Sequence, residues 1–148
     1  MDEKIKEKLD NAFKSGKDSL TDIQEIIKNI TKEVIDKSKD KRDDIKKNSG
    51  ELFKEFAKTL KDLGKDSFEF LKAAGAGVVE GIKESSKEDN NLLKHAGASI
   101  LDALKNLGEA GIYVTQEGTK NLMSAIEAML KKAKEKKEKK EDSNSDKE

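Results

Sequence analysis

Apolar residues return along this chain every eleven positions. Stepping from Met1 gives Ala12, Ile23, Val34, Ile45, Phe56, Ser67, Val78, Asp89, Ile100, Gly111, Leu122 and Ala133. A second row runs from Ile5 through Gly16, Ile27, Ser38, Ser49, Leu60, Leu71, Ile82, Leu93, Leu104 and Thr115 to Ile126. The third passes from Lys8 through Ser19, Ile30, Lys41, Leu52, Leu63, Ala74, Ser85, Ala96, Leu107 and Gly118 to Met129. These rows hold 25 apolar residues in 37 positions, against 24 in the other 111, an enrichment of about threefold. Eleven residues make three helical turns at about 3.67 residues per turn, so the rows lie side by side on one helix face.

The pattern therefore predicts an all-α chain of long amphipathic helices. Residues 1–133 form the repeat region, and 134–148 a charged tail that frays or is solvated, because Lys137 and Lys140 take over the apolar positions there. The candidate binding or assembly face comprises Ile23, Ile27, Ile30, Val34, Phe56, Leu60, Leu63, Leu71, Val78, Ile82, Leu93, Ile100, Leu104 and Leu107. Breaks are expected near 48–50, 85–91 and 108–118, where Asn, Ser and Gly collect. The eleven-residue phase nevertheless passes through all three. That continuity favours one helix on the order of 200 Å long, or segments folded back into a hairpin or bundle and able to straighten.

Charges keep the same period. Lys6, Lys17, Lys28, Lys39, Lys61, Lys72, Lys83, Lys94 and Lys105 border the stripe on one side. Asp22, Glu33, Asp44, Glu55 and Asp66 border it on the other, with the row of Glu7, Asp18, Asp40, Glu51, Asp62 and Glu84 just beyond. Lys28, Lys39, Lys61, Lys72 and Lys83, opposite Asp44, Glu55 and Asp66, would let helices lie side by side, lysine edge to acid edge. Each exposed pair contributes only about 0–1 kcal/mol, but a row of them sets lateral order. A further row, Gly64, Gly75, Gly97 and Gly108, sits at the acid-side edge. Glycine costs a helix interior roughly 1 kcal/mol against alanine, so this row is read as a line of close helix packing.

Composition narrows the function. Of 148 residues 42% are charged and 33% hydrophobic, the 31 basic and 31 acidic side chains cancel, and Pro, Cys and Trp are absent. Cysteine-based zinc sites and disulfide scaffolds are excluded, and zero net charge argues against a dedicated nucleic-acid binder. His95 stands alone and reads as a surface histidine. The segment Ala73 to Gly81 is glycine-rich but lacks the Gly-Lys-Ser/Thr ending of a phosphate loop. Neither an enzyme nor a cofactor or metal site is expected. The start, Met1-Asp2-Glu3, does not resemble a signal peptide, and the longest uncharged run, Ala73 to Val79, is too short to span a membrane. A cytoplasmic protein is expected, free or peripheral on a membrane or particle.

Tandem eleven-residue amphipathic helices of this kind resemble those of exchangeable apolipoproteins, perilipins, synucleins and group 3 late-embryogenesis proteins, and the composition is similar to that of phasins. The resemblance covers nearly the whole chain and is one of pattern. It implies a chain that becomes helical on a hydrophobic surface. Ile, Leu and Phe on the apolar face depart from the Ala and Thr of late-embryogenesis repeats, and Tyr113 is the only interfacial-type aromatic besides Phe. The function expected is non-catalytic coating of a lipid or other hydrophobic surface. The alternatives are a helical homo-oligomer or scaffold built from copies of itself, and a late-embryogenesis-like stress protectant.

Overall fold

The computed structural model describes the backbone over residues 2–37, 42–85 and 90–145, and side chains at 4, 6–37, 48–85 and 93–132. Six α-helices appear and, among the described residues, no strand: α1 (Asp2–Lys14), α2 (Leu20–Lys37), α3 (Arg42–Asp62), α4 (Phe68–Glu84), α5 (Asn90–Lys105) and α6 (Gln116–Ser145). A short 3₁₀ segment, Leu107–Ala110, follows α5. The helices pack against one another as a bundle, so the stripe is folded back on itself. The backbone of α6 continues helical through the segment read as a tail, as far as Ser145.

Two turns share one tetrapeptide. Gly16-Lys17-Asp18-Ser19 ends α1 and begins α2; Gly64-Lys65-Asp66-Ser67 ends α3 and begins α4. Both glycines are left-handed, at φ 82° and 75°, a conformation that carries little penalty only without a Cβ. The Lys17 amide reaches back to the Ala12 carbonyl at 2.8 Å and the Lys65 amide to Leu60 at 2.7 Å, closing the last turn of each helix. Ser19 Oγ then accepts from the Asp22 amide at 3.1 Å, starting α2. Thr115 does the same for α6, its Oγ1 accepting from the Gly118 amide at 3.0 Å.

The cap residues Ser19, Ser67 and Thr115 are spaced 48 apart, as are the starts of α2, α4 and α6 at 20, 68 and 116 and of α3 and α5 at 42 and 90. The fold thus repeats as a two-helix unit of 48 residues. Forty-eight is four elevens plus four, which carries the first row of the stripe onto the second and the third onto the first, while the second row meets the glycine row, Ile27 answering to Gly75 and Leu60 to Gly108. Ile23 answers to Leu71, Ile30 to Val78, Val34 to Ile82, Leu52 to Ile100, and Phe56 to Leu104. The three-row stripe therefore conceals the longer repeat.

Packing follows the repeat. Each helix leans on the one two places along, in two rows: α1, α3, α5 and α2, α4, α6. Within the α2–α4 seam Gln24 and Ile27 lie against Gly77, and Lys28 and Thr31 against Gly81, so the two helices run parallel. Between the rows sits a continuous core that includes Leu9, Ile27, Phe53, Phe56, Leu60, Val78, Ile100 and Ile126.

The break expected at 48–50 does not occur, because α3 runs through it. Gly50 is there for proximity: a Cβ on it would stand 2.6 Å from the Ser99 carbonyl oxygen, and its amide donates to Ser99 Oγ at 3.1 Å. Of the segment 85–91, α4 ends at Glu84, α5 begins at Asn90, and residues 86–89 lie outside the described residues; of 108–118, residues 108–115 lie between α5 and α6, while Gln116 to Gly118 already belong to α6.

Candidate functional site: the apolar stripe and its edges

Every residue of the sequence-derived face has a place in the bundle. Ile23, Ile27, Ile30, Phe56, Leu60, Leu71, Val78, Ile82, Leu93, Ile100, Leu104 and Leu107 are buried, while Val34 and Leu63 are half-buried against the same core. The stripe is thus occupied by the chain's own helices. Other core residues lie off the three rows, among them Leu9, Ile35, Phe53, Ala57, Val79 and Ile112. Phe13, Phe68, Val114 and Met123 pack half-buried on the flanks. A bundle surrounds each helix on more than one side, so it buries a wider arc than one flat surface would cover.

The glycine row divides. A Cβ on Gly75 would stand 2.9 Å from Ile126 Cδ1, and one on Gly97 would stand 2.6 Å from Leu130 Cδ1, so both receive side chains of α6. Gly64 and Gly108 have open space and belong to turn segments, the first because its φ is positive. Approaches to a neighbouring backbone lie off this row. At Gly77 a Cβ would meet the Gln24 carbonyl oxygen at 2.8 Å, and at Gly81 the Lys28 carbonyl oxygen at 2.7 Å. Gly77 and Gly81 are one helical turn apart, a spacing that brings two backbones together. That spacing was available in the sequence as Gly77-Val78-Val79-Glu80-Gly81.

Edge charges pair across neighbouring helices. Lys28 Nζ lies 3.2 Å from Glu25 and 3.7 Å from Glu84 of α4, a lysine-row residue against the outer acid row, within one chain. The hydrogen bond to Glu25, with the nearby Glu84 charge, raises the Lys28 pKa above the ordinary lysine value against the opposing effect of burial. Above this pair Gln24 Nε2 donates to Glu80 at 2.9 Å. Glu33 sits between Lys37 at 2.7 Å and Lys8 of α1 at 2.9 Å. Hydrogen bonds from these two lysines, Lys37 foremost, pull its carboxyl down to about 2. Lys61 Nζ donates to the Gly111 carbonyl, tying α3 to the segment before α6. Lys72, Lys83 and Glu55 are half-buried and Asp66 is exposed. The side chains of Lys39 and Asp44 lie outside those described.

Chemistry-bearing groups are sparse. His95 is exposed, and among the described residues no cluster of His, Cys, Asp and Glu could hold a metal ion. No described helix is long and apolar enough to cross a membrane. Among the described residues one buried side-chain polar atom, Thr31 Oγ1, has no hydrogen-bond partner; it lies in the α2–α4 seam beside Gly81.

Fold and stripe together define an all-α bundle of stacked amphipathic helices. No protein family matches the chain, nor does any curated protein or solved structure.

Proposed function

We propose that this chain is a non-catalytic amphipathic helical protein whose stripe has two alternative partners. One is its own repeats, in the closed bundle. The other is a lipid or similarly hydrophobic surface, on which the helices lie flat with their apolar rows down. The observation that carries this reading is the common phase of the stripe. A bundle requires only that each helix have an apolar face somewhere, and turns are free to reset its position. Here the rows continue through the turns at 15–19 and 63–67 without insertion, as one extended surface would require.

Flotation with phospholipid vesicles and with oil droplets, alongside far-ultraviolet circular dichroism, tests the proposal. Protein should rise with the particles and keep its helicity; protein left in the lower fractions with both would refute it. A homo-oligomer or scaffold is the second reading, resting on the complementary edges. In the bundle the Lys28–Glu84 pair already joins the two edges inside one chain, which favours the first reading. Sedimentation equilibrium separates the two, since a monomer at high concentration is incompatible with assembly. High helicity in plain buffer would set aside the protectant reading.

A further inference from the structure

The seams of the bundle are not equivalent, and their difference points to where it opens. Between α2 and α4 the contact is backbone on backbone, with the Gln24 and Lys28 carbonyls standing where a Cβ of Gly77 or Gly81 would go. The α3–α5 seam has the same character at Gly50 and Ser99. By contrast, α6 meets its neighbours through the ends of flexible side chains, Ile126 Cδ1 over Gly75 and Leu130 Cδ1 over Gly97. These two residues are one turn apart and enter glycine pits on α4 and α5. The connection also differs: residues 106–115 separate α5 from α6, whereas 15–19 and 63–67 suffice for the earlier turns. Finally, α6 contains a local run of lysine. Residues 131–140 hold seven lysines and two glutamates, in a protein of zero net charge.

We infer that α6 is the detachable element: it leaves the groove formed by α4 and α5 and lies on an anionic lipid surface, while the α2–α4 and α3–α5 pairs stay together. Release uncovers the buried Leu122 and Ile126, with the half-buried Met129 on the same apolar face, on a helix whose next turns are lysine-rich. Apolar burial and attraction to anionic headgroups then act on the same helix, with roughly 1 kcal/mol per lysine close to such a surface. This inference rests on the surface-binding reading and adds which helix binds and which lipid charge it selects.

The test exploits the absence of cysteine. Two doubly labelled full-length variants report distance by energy transfer: Lys94→Cys with Glu127→Cys across α5 and α6, and Thr21→Cys with Glu69→Cys across α2 and α4, all four positions being exposed. With vesicles of phosphatidylcholine and phosphatidylserine, transfer across α5–α6 should fall by at least half and transfer across α2–α4 should hold; pure phosphatidylcholine should bind several-fold more weakly. Gly97→Leu fills a pit in the groove and leaves the apolar row of α6 untouched, so it should lower the vesicle concentration for half-binding several-fold. Separation of α2 from α4, or flotation with neither distance changed, overturns this inference and leaves surface binding standing. So does tighter binding to single-stranded RNA than to the anionic vesicles. Failure to float with any vesicle or droplet overturns both.

Discussion

Alanine at Gly81 is the sharpest probe of the α2–α4 seam. The new Cβ would stand 2.6 Å from Thr31 Cβ, 2.7 Å from the Lys28 carbonyl oxygen and 2.9 Å from Thr31 Cγ2. Carbon atoms settle near 3.5–4.0 Å, so the seam must widen by roughly 0.8 Å or more. Neither a main-chain carbonyl nor a Cβ can rotate away, and overpacking of this kind costs about 1–3 kcal/mol. Against it stands the helix preference for alanine over glycine, roughly 1 kcal/mol. The expected net is a loss of up to about 2 kcal/mol, read as a lower urea midpoint by far-ultraviolet circular dichroism with an unchanged slope. Gly108→Ala is the control: with nothing within 4 Å of its Cβ, it should be neutral or stabilising by up to about 1 kcal/mol. A Gly81→Ala protein more stable than its parent by about 1 kcal/mol, the helix preference alone, would refute backbone-level packing of α2 on α4.

Three further expectations follow from single residues. Thr31→Val keeps the shape of the side chain and removes a buried hydroxyl that has no partner; it should raise stability by about 1 kcal/mol, and a lower urea midpoint would show that the hydroxyl is satisfied after all. Phe56→Ala empties a fully buried site and should cost about 3–5 kcal/mol, measured in the same titration; a loss under about 1 kcal/mol would place Phe56 outside the core. The Glu33 carboxyl is held at about 2, below the ordinary 4.5, so its contribution is complete above about 4.5 and fades as pH falls through that window to about 2. Glu33→Gln should accordingly be less stable than the parent at neutral pH, with the difference closing over that window; a gap that persists below it would assign the effect to something other than the charge.

The helices were legible because burial imposes a period, and Ile23, Ile27, Phe56, Leu60 and Ile82 occupy the core as their spacing suggests. The turns were harder to read. Continuity of phase leaves a single long helix and a folded-back bundle equally open, and only half of the non-apolar members of the rows mark the bends; Lys8, Ser49 and Gly118 lie inside helices. Gly16, Ser19, Ser67, Ser85, Gly111 and Thr115 all fall at or between helix ends, while Ser38, Lys41 and Asp89 lie outside the described residues. Local composition misled at Gly50, because a glycine that accommodates Ser99 looks the same in sequence as one that ends a helix. Partners were not legible at all. Nothing local to Gly77 announces that it will meet Gln24, and which edge finds which depends on the 48-residue stacking that the stripe's width hides.

That stacking dictates an order of assembly. The two most extensive seams, α2–α4 and α3–α5, join helices two places apart, so α2 must wait for α4, and α3 for α5. Closing a loop of about fifty residues, rather than the five of a hairpin turn, costs roughly 2 kcal/mol more in chain entropy. As the polypeptide leaves the ribosome, the first half of the stripe is therefore synthesised before its partner exists, and folding is slower than in a bundle of sequential hairpins. During that interval Ile23, Ile27 and Ile30 are exposed to whatever apolar surface is nearest. The nascent chain is the form most open to capture, by a chaperone, by a second nascent copy or by a lipid surface.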